Sequence, residues 1–467
     1  MAGSGRMYFG DVDASSEDSA VLNRQFVGDE RLKRVIGLSS DGAEIVIGLK
    51  GTGKTALGRV AFERFDGIKW FRSEKSYDAR FEVPATNLRS GVLMGMIKLF
   101  IIEQFVEQLT RDGAIKHGDL DKWVKPFKSI FIRAAKATEI NAGFVKIKPS
   151  EFFSVDSQEN VRAAWDSAIK LLNDVLQTKP SFIVLDDVDT YFVGLENHPR
   201  FIEGLCRAVR EINALTSPPI RCLLLLKQGV WRSLFERPEE YDKIKHSMEF
   251  LRWDLLGCVS VLCNRIAVIR DKPKAIVKSM KDAQQLLRFE FDGDADVIVK
   301  CIEEIFSYSV NGPRDVIDLC NSIRREYPTD KITLAMVTER ATRFSEEKLY
   351  ALNGDFGHIY PEIPQLVQAV FQGFKTQFGA VELRDRLEEG VLNDPKSAKQ
   401  GFGQQSWFRD ATANSFVKKF FDVGVVGIAR PHREPLFANE DNSVSQNVLL
   451  NSQLLLHKAY RLALGLA

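Results

Sequence analysis

The segment EIVIGLKGTGKTALGRV, from Glu44 to Val60, decides the fold of this chain. Its apolar start predicts a strand over 44–48, and its end predicts a helix over 54–65. The turn between them matches G-x-x-x-x-G-K-[ST] at every fixed position, a pattern whose backbone N–H groups surround phosphate oxygens. A chance glycine turn is the alternative, but it does not require a strand before it and a helix after it. The predicted nucleotide-contacting residues are Gly48, Lys50, Gly51, Thr52, Gly53, Lys54, Thr55 and Ala56.

The last two fixed positions of this turn suit the charge and the metal of a nucleoside triphosphate. We expect the ammonium group of Lys54 to contact the β- and γ-phosphates as a point charge. We expect the hydroxyl group of Thr55 to bind Mg²⁺. The turn therefore predicts a bound nucleotide together with its magnesium ion.

A second motif, SFIVLDDVD from Ser181 to Asp189, supplies carboxylates after an apolar run. The run predicts a strand over 181–186, and open parallel sheets bind ligands beyond the carboxyl ends of their strands. We expect Asp186 to hold Mg²⁺ through water and Asp187 to act as general base on the attacking water. A solvated turn is the alternative. Aspartate is shorter than the glutamate that many fast ATPases use here, so we hypothesise slow turnover.

Basic residues follow the next predicted strand, over 221–227. In nucleotidases with an additional strand beside the acidic one, a polar residue at its end senses the γ-phosphate, and Lys227 is the candidate. A lysine that faces solvent is the alternative. Arg237 is the candidate to enter a neighbouring subunit's site and stabilise the transferred phosphoryl group. Because arginines are common on helix surfaces, the sequence favours an ordinary surface role for Arg237.

The segment NGPRDVIDLCNSIR predicts a helix that opens with Gly312 and Pro313 and carries Arg314 in its first turn. A cation at this end of a helix opposes the helix dipole, so it needs a partner that offsets the cost. The γ-phosphate of a bound nucleotide is one such partner. The carboxylate of Asp315 is the alternative.

The order of the predicted elements indicates an α/β fold. Strands, including one near 78–83, alternate with helices predicted over 88–112, 157–176 and 198–214, as in a parallel sheet covered by helices on both faces. Regular helical periodicity then predicts a helical lid, and a third domain follows it. The predicted domains are a flexible arm at 1–25, a P-loop core at 26–250 with an insertion at about 113–150, a helical lid at 251–355 and a winged-helix-like domain at 356–467.

Composition limits the class of protein. The chain has 467 residues, 45% hydrophobic and 27% charged, with a net charge of +1, so it lacks the strong basic field of a nucleic-acid coat protein. Its six cysteines are scattered through apolar segments and are predicted to be core residues. We find neither a signal-peptide pattern nor an uncharged apolar run of membrane-spanning length. These features predict a cytoplasmic protein without a membrane partner.

Several motifs together resemble P-loop ATPases of the AAA+/STAND type: FVGDERLKRV, GLKGTGKTAL, FIVLDDVD, the strand that ends in Lys227, and GPRDVIDLCNSIR. The resemblance covers about 26–350 well and 360–467 loosely. It implies ATP and ADP as ligands, with Lys227 as sensor 1 and Arg314 as sensor 2. It also implies a homo-oligomeric switch that acts on a separately encoded protein effector, because such ATPases are often met beside restriction, nuclease or phage-defence genes.

Two other functions stay open at this stage. One is a DNA-bound initiator- or loader-like ATPase, in which the winged helix contacts DNA. Residues 361–467 carry 12 basic and 11 acidic residues, so the charge balance favours a protein contact over DNA. The other is a scaffold that holds ATP structurally and does not turn it over.

Overall fold

The computed structural model describes residues 9–37, 42–72, 90–113, 155–177, 179–188, 198–215, 217, 219–232, 245–310, 312–357, 359–438 and 444–466. The chain divides into two compact units. The first unit consists of Met1–Val27, Gly48–Ala56 and Leu251–Ala467, and the second unit consists of Gly28–Ile47 and Leu57–Phe250.

The first described residues are packed into the first unit, which differs from the flexible arm predicted for residues 1–25. Phe9 is completely buried within an apolar cluster of the first unit. Helix α1 (Ser19–Gln25) follows, and the carboxylate of Asp18 caps it by accepting bonds from two backbone N–H groups. The described part of this segment is thus a capped helix preceded by residues that are hydrogen-bonded to the first unit.

The second unit is built on a five-stranded parallel sheet with the strand order β2-β3-β4-β1-β5. Its strands are β1 (Ile45–Gly48), β2 (Ile68–Arg72), β3 (Ser181–Leu185), β4 (Ile220–Lys227) and β5 (Met248–Phe250). Strand β4 lies between β1 and β3, which is the additional strand expected beside the acidic motif. Strands β1 and β3 are buried throughout, which explains why both are continuous apolar runs in the sequence.

The sequence did not predict the two edge strands of this sheet, β2 and β5. Strand β2 lies at one edge of the sheet, and four of its five residues are only partly buried. The segment IKWFR therefore mixes charged and apolar residues and gives no clear strand signal. The strand predicted near 78–83 lies outside the described residues, as do most of the insertion predicted at about 113–150 and residue Arg237.

Helices flank this sheet. They are α2 (Asp29–Ile36), α3 (Lys54–Arg64), α4 (Ser90–Arg111), α5 (Val155–Leu176), α6 (His198–Asn213) and the short α7 (Gln228–Arg232). Helix α4 packs against α5 and α6, and α6 packs against β4. Helix α3 approaches the sheet closely at Gly58, where an added Cβ would lie 2.8 Å from Leu225 Cδ1. The bounds of α3, α4, α5 and α6 agree with the predicted helices to within two residues.

The middle of the first unit is helical. Its helices are α8 (Leu255–Ile269), α9 (Met280–Leu287), α10 (Ala295–Ser307), α11 (Pro313–Glu326) and α12 (Leu334–Phe356). Four of them begin at a side chain that accepts a bond from the backbone N–H three residues further on. These N-cap residues are Asp254, Ser279, Asp294 and Thr333. Helical periodicity predicted this region from sequence, and the caps fix where four of its helices begin.

The end of the first unit combines short helices with a three-stranded antiparallel sheet of order β6-β8-β7. The strands are β6 (Gln377–Gly379), β7 (Val426–Ile428) and β8 (Gln453–Leu456). The helices are α13 (Ile363–Phe371), α14 (Ala380–Leu387), α15 (Ser406–Arg409), α16 (Ala413–Asp422), α17 (Gln446–Leu450) and α18 (Lys458–Arg461). Buried aromatic rings, including Phe371, Phe416 and Phe420, form part of one core. The aromatic residues of this region therefore pack inside it.

All six cysteines are buried free thiols, as the sequence predicted. Burial raises the pKa of Cys263 and of Cys301 to about 12, so both stay protonated at neutral pH. Among the described helices, none is long and apolar enough to cross a membrane.

A buried charge cluster in the first unit gives a stability prediction. Glu290 is fully buried and forms ion pairs with Arg324 at 2.6 Å and with Arg270 at 2.7 Å. We expect Glu290→Ala to lower the free energy of unfolding by about 3–5 kcal/mol, because Arg324 is left charged and buried without this partner. Urea unfolding followed by circular dichroism measures the change.

The exposed ion pair of Glu30 with Lys33 provides the control. We expect Glu30→Ala to leave the free energy of unfolding almost unchanged, because water screens exposed charges. Equal effects of the two substitutions would contradict a structural role for the buried cluster.

Candidate functional site

The glycine-rich turn connects β1 directly to α3. Gly51 has φ = +88° and Gly53 has φ = +90°, in the left-handed region that favours glycine. The Lys54 Nζ atom donates to the carbonyl oxygens of Gly48 at 2.9 Å and Leu49 at 3.0 Å. The Thr52 hydroxyl group donates to the same Leu49 oxygen at 2.8 Å. The turn is therefore an ordered loop that carries a cation and a run of backbone N–H groups, which is the chemistry of an anion site.

The predicted sensor residue Arg314 lies on this loop. A Cβ built on Gly51 would be 2.8 Å from Arg314 Cδ and 2.9 Å from Arg314 Cβ, so the stem of the arginine covers the glycine. Arg314 is in the first turn of α11, and its Nε atom donates to the carbonyl oxygen of Val12 at 3.2 Å. The structure brings the lid arginine and the phosphate loop together, as their expected joint role requires.

The alternative partner proposed for Arg314 is engaged elsewhere. The carboxylate of Asp315 is almost completely buried, accepts a bond from the Val310 backbone N–H at 2.8 Å and pairs with Lys348 at 2.5 Å. Among the described residues, no carboxylate forms an ion pair with Arg314. The local ion pair is therefore not the reason for an arginine at this helix start.

Trp253 is a contact of the loop that the sequence did not single out as a site residue. Its indole Nε1–H donates to the carbonyl oxygen of Thr52 at 2.8 Å. The same ring lies beside Gly312, where an added Cβ would be 2.9 Å from Trp253 Cδ1. Trp253 thus links the phosphate loop to the residue that precedes α11. The only signal in the sequence was a single tryptophan at the junction between β5 and α8.

Lys50 of the loop also reaches the lid. Its Nζ atom lies 3.6 Å from the carboxylate of Asp355 near the end of α12. Half of the Lys50 side chain is exposed, so this ion pair contributes little to stability. It does place a second loop residue against a lid helix of the first unit.

The acidic motif lies at the carboxyl end of β3, within the second unit. Asp186 is almost completely buried, and its backbone N–H donates to the carbonyl oxygen of Arg72 at 2.9 Å. The Asp187 backbone N–H donates to the Asp186 carboxylate at 3.0 Å. Lys227, the last residue of β4, is 3.8 Å from the Asp187 carboxylate, with 25% of its side chain exposed. Lys227 is therefore mostly buried beside the proposed base, which disfavours the solvent-facing alternative.

The backbone at Asp187 gives a physical reason for aspartate at this position. Asp187 has φ = +53°, a conformation in which aspartate and asparagine are enriched over other non-glycine residues. Glutamate at this position would strain the backbone. The short carboxylate that suggested slow turnover is thus also the carboxylate that this turn accommodates.

The remaining predicted site residues are located but not tested by the geometry. Thr55 and Ala56 lie in the first turn of α3. Arg237 falls outside the described residues. Among the described residues, no group of three or more histidine, cysteine, aspartate or glutamate side chains could hold a metal ion. A magnesium ion bound through one hydroxyl, one carboxylate and substrate phosphates needs no such group, so Thr55 and Asp186 stay predicted ligands.

The sheet and the glycine-rich loop together indicate the class of protein. A parallel sheet with an additional strand between the phosphate-loop strand and the acidic strand, together with the glycine loop and α3, fits the fold of a P-loop NTPase.

No protein-family description matches the chain. A putative transposon gamma-delta 80.3 kDa protein of Escherichia coli K12 is 21% identical over 98% of this chain and 67% of its own length. Among solved structures, the Walker-type ATPase PABY2304 of Pyrococcus abyssi aligns over 94% of this chain and 97% of its own, at 10% identity and a TM-score of 0.40. Both are distant similarities.

The contact between Gly51 and Arg314 predicts that a side chain at Gly51 lowers the free energy of unfolding more than a side chain at an uncrowded glycine. Gly51→Ala adds a Cβ that collides with the arginine stem and also strains a left-handed backbone. Gly373 has φ = +64° and has no other atom within 4 Å of an added Cβ, so Gly373→Ala isolates the backbone cost. We expect Gly373→Ala to lower the free energy of unfolding by about 1–2 kcal/mol and Gly51→Ala by about 1–3 kcal/mol more.

Urea unfolding of the two variants measures this difference. Equal costs for Gly51→Ala and Gly373→Ala would show that Arg314 does not cover the loop in solution.

Proposed function

We propose that this chain is an ATP-binding switch that hydrolyses ATP slowly with Mg²⁺. The observation that carries the proposal is the stem of Arg314 lying on Gly51 of the phosphate loop, because it brings a cation of the lid to the loop that would hold the phosphates. The distant similarity to the transposon protein adds no activity, since the name of that protein states none.

Binding would use the backbone N–H groups of the loop and the ammonium group of Lys54. Backbone N–H groups between Gly48 and Lys54 would surround the phosphates, and the N-terminus of α3 would favour their negative charge. The Lys54 ammonium group would exchange its bonds to the carbonyl oxygens of Gly48 and Leu49 for bonds to phosphate oxygens. Charge-assisted bonds of this type are stronger than bonds to neutral carbonyl oxygens, so the exchange is favourable.

Hydrolysis would use the carboxylates that follow β3. Thr55 and Asp186 are the residues proposed to hold Mg²⁺, whose charge would offset that of the phosphates. Asp187 would orient a water molecule and accept its proton as the water oxygen bonds to the γ-phosphorus. The bond between that phosphorus and the β-phosphate oxygen would break in the same step, so that ADP and phosphate are released. Lys227, 3.8 Å from the Asp187 carboxylate, would contact the γ-phosphate as sensor 1.

The switch would depend on Arg314. An arginine that contacts the γ-phosphate contributes more to binding ATP than to binding ADP, and a ligand shifts a conformational equilibrium only through such a difference. Hydrolysis would then release the contact and reset the lid. Arg237 is the candidate arginine for a neighbouring subunit's site, with an ordinary surface role as the favoured alternative.

The partners of the switch rest on the resemblance to AAA+/STAND ATPases. We propose a homo-oligomer in the cytoplasm that controls a separately encoded effector, with antiphage defence as the setting. Residues 356–467 are proposed to be a winged-helix-like domain, and the sheet order β6-β8-β7 within them supports this.

Charges on α16 argue for a protein contact of this domain over DNA. Lys418 pairs with Asp422, Lys419 donates to the Ser415 hydroxyl group, and burial lowers the pKa of Lys419. Two lysines of this domain are therefore already engaged in contacts within α16. DNA binding with a strong salt dependence would instead support the initiator- or loader-like alternative.

Two substitutions separate binding from turnover. We expect Lys54→Ala to weaken ATP binding by about 10–100-fold, because charge-assisted bonds to the phosphates are lost. We expect Asp187→Asn to keep ATP affinity and to lower the hydrolysis rate by about 10²–10⁴-fold, because the general base is lost. Calorimetric titration with Mg·ATP and single-turnover assays with radiolabelled ATP measure the two effects.

Asp271→Asn is the control for Asp187→Asn, because Asp271 also has a positive φ and lies on the exposed surface. It should leave both quantities unchanged. Unchanged ATP binding in Lys54→Ala would contradict the proposed site, and wild-type protein that binds ATP without turnover would support the structural scaffold.

A further inference from the structure

We propose that the N-terminal strap, residues 9–17, positions Arg314 for the γ-phosphate, and that Asn321 and Arg265 are the positioning residues that hold the strap in place. This inference rests on the proposed function and adds a determinant of the preference for ATP over ADP. The strap, these two residues, Arg314 and the phosphate loop all belong to the first unit.

The side chain of Asn321 holds the strap by bonding to the strap's backbone. Its side-chain oxygen accepts a bond from the Phe9 N–H at 2.8 Å, and its side-chain nitrogen donates to the Gly10 carbonyl oxygen at 3.1 Å. Asn321 is on α11, the helix that carries Arg314 in its first turn, and only 2% of it is exposed. A buried amide that satisfies both a donor and an acceptor of one segment fixes the position of that segment.

Arg265 of α8 holds the same segment from another helix. Its Nη1 atom donates to the carbonyl oxygens of Phe9 at 2.7 Å and Asp11 at 2.9 Å, and the Glu17 carboxylate lies 3.6 Å away. Gly10 has φ = +81°, and a Cβ there would lie 2.6 Å from Arg265 Nη1. The strap therefore needs glycine at this point for the guanidinium group to approach.

These contacts place the backbone carbonyl group of Val12 beside the lid arginine, Arg314. The Val12 carbonyl oxygen accepts the bond from Arg314 Nε, next to the carbonyl groups held by Arg265. A bond at Nε fixes the plane of the guanidinium group, and its two Nη groups are the pair that bonds phosphate oxygens. Fixing this plane before the nucleotide arrives reduces the entropy that Arg314 loses on contact with the γ-phosphate.

A purely structural strap makes a different prediction from a positioning strap. Loss of structural packing would change the affinities for ATP and ADP together. Loss of Arg314 positioning would weaken binding of the triphosphate and leave binding of ADP unchanged. The ratio of the dissociation constants for ADP and for a non-hydrolysable ATP analogue distinguishes the two.

The test compares two buried asparagines of the full-length chain. Asn321→Ala removes the amide that holds Phe9 and Gly10. Asn264→Ala is the matched control, because the Asn264 amide holds both the N–H and the carbonyl group of Ala275 and is equally buried. Calorimetric titration with ADP and with the ATP analogue, each with Mg²⁺, gives the ratio for each variant.

We expect the ratio to fall about 10–100-fold in Arg314→Ala, which loses a charge-assisted phosphate contact, and about 3–10-fold in Asn321→Ala. The ratio should stay unchanged in Asn264→Ala. In the Arg314→Ala background, Asn321→Ala should have no further effect on the ratio, because both substitutions act through one contact. Gly10→Ala disturbs the strap without changing a helix, and it should reproduce the fall if Asn321→Ala does not fold.

The outcomes separate this inference from the proposed function. An Asn321→Ala ratio that is unchanged or raised, while Arg314→Ala lowers it, overturns the positioning role alone. If Asn321→Ala lowers the ratio further in the Arg314→Ala background, the positioning role alone is also overturned. Wild-type protein that binds neither nucleotide overturns the proposed function and this inference together.

Discussion

The packing of Arg314 on Gly51 is the contact on which the site of the first unit depends. Gly51 lacks a side chain and adopts a left-handed backbone, so its amide can approach an anion while the arginine stem lies against its Cα. One glycine therefore meets two requirements: close approach of a phosphate and close approach of the lid helix α11. A phosphate-loop glycine is usually explained by the first requirement alone.

The start of α11 shows how the fold accommodates an unfavourable charge. A cation in the first turn of a helix opposes the dipole and costs about 0.3–1 kcal/mol when exposed. Here the Val12 carbonyl oxygen accepts a bond from that cation, and buried Asn321 and Arg265 hold the strap that provides the carbonyl group. Trp253 connects the same helix start to Thr52 of the loop. The arginine is thus held by backbone groups and is not neutralised by a carboxylate.

The carboxyl ends of β3 and β4 carry a second set of constraints, within the second unit. The left-handed backbone at Asp187 favours a short side chain, and Lys227 lies beside that side chain at the end of the neighbouring strand. The second feature follows from the strand order, which places β4 directly against β3. The chemistry proposed for this pair therefore depends on sheet topology as much as on the two residues.

The sequence by itself determined the phosphate loop, the buried strands β1, β3 and β4, and most helices, because glycine turns, apolar runs and helical periodicity are local signals. It missed the edge strands β2 and β5, whose partly buried residues reflect an edge position that only the complete sheet defines. Only the tertiary structure decided that Arg314 lies on Gly51, that Trp253 bonds Thr52, and that the N-terminal strap is packed. The reason is physical: these contacts join residues 200 or more positions apart, as the 312 positions between Phe9 and Asn321 illustrate. Many of them use backbone carbonyl groups, which every residue carries and no sequence pattern marks.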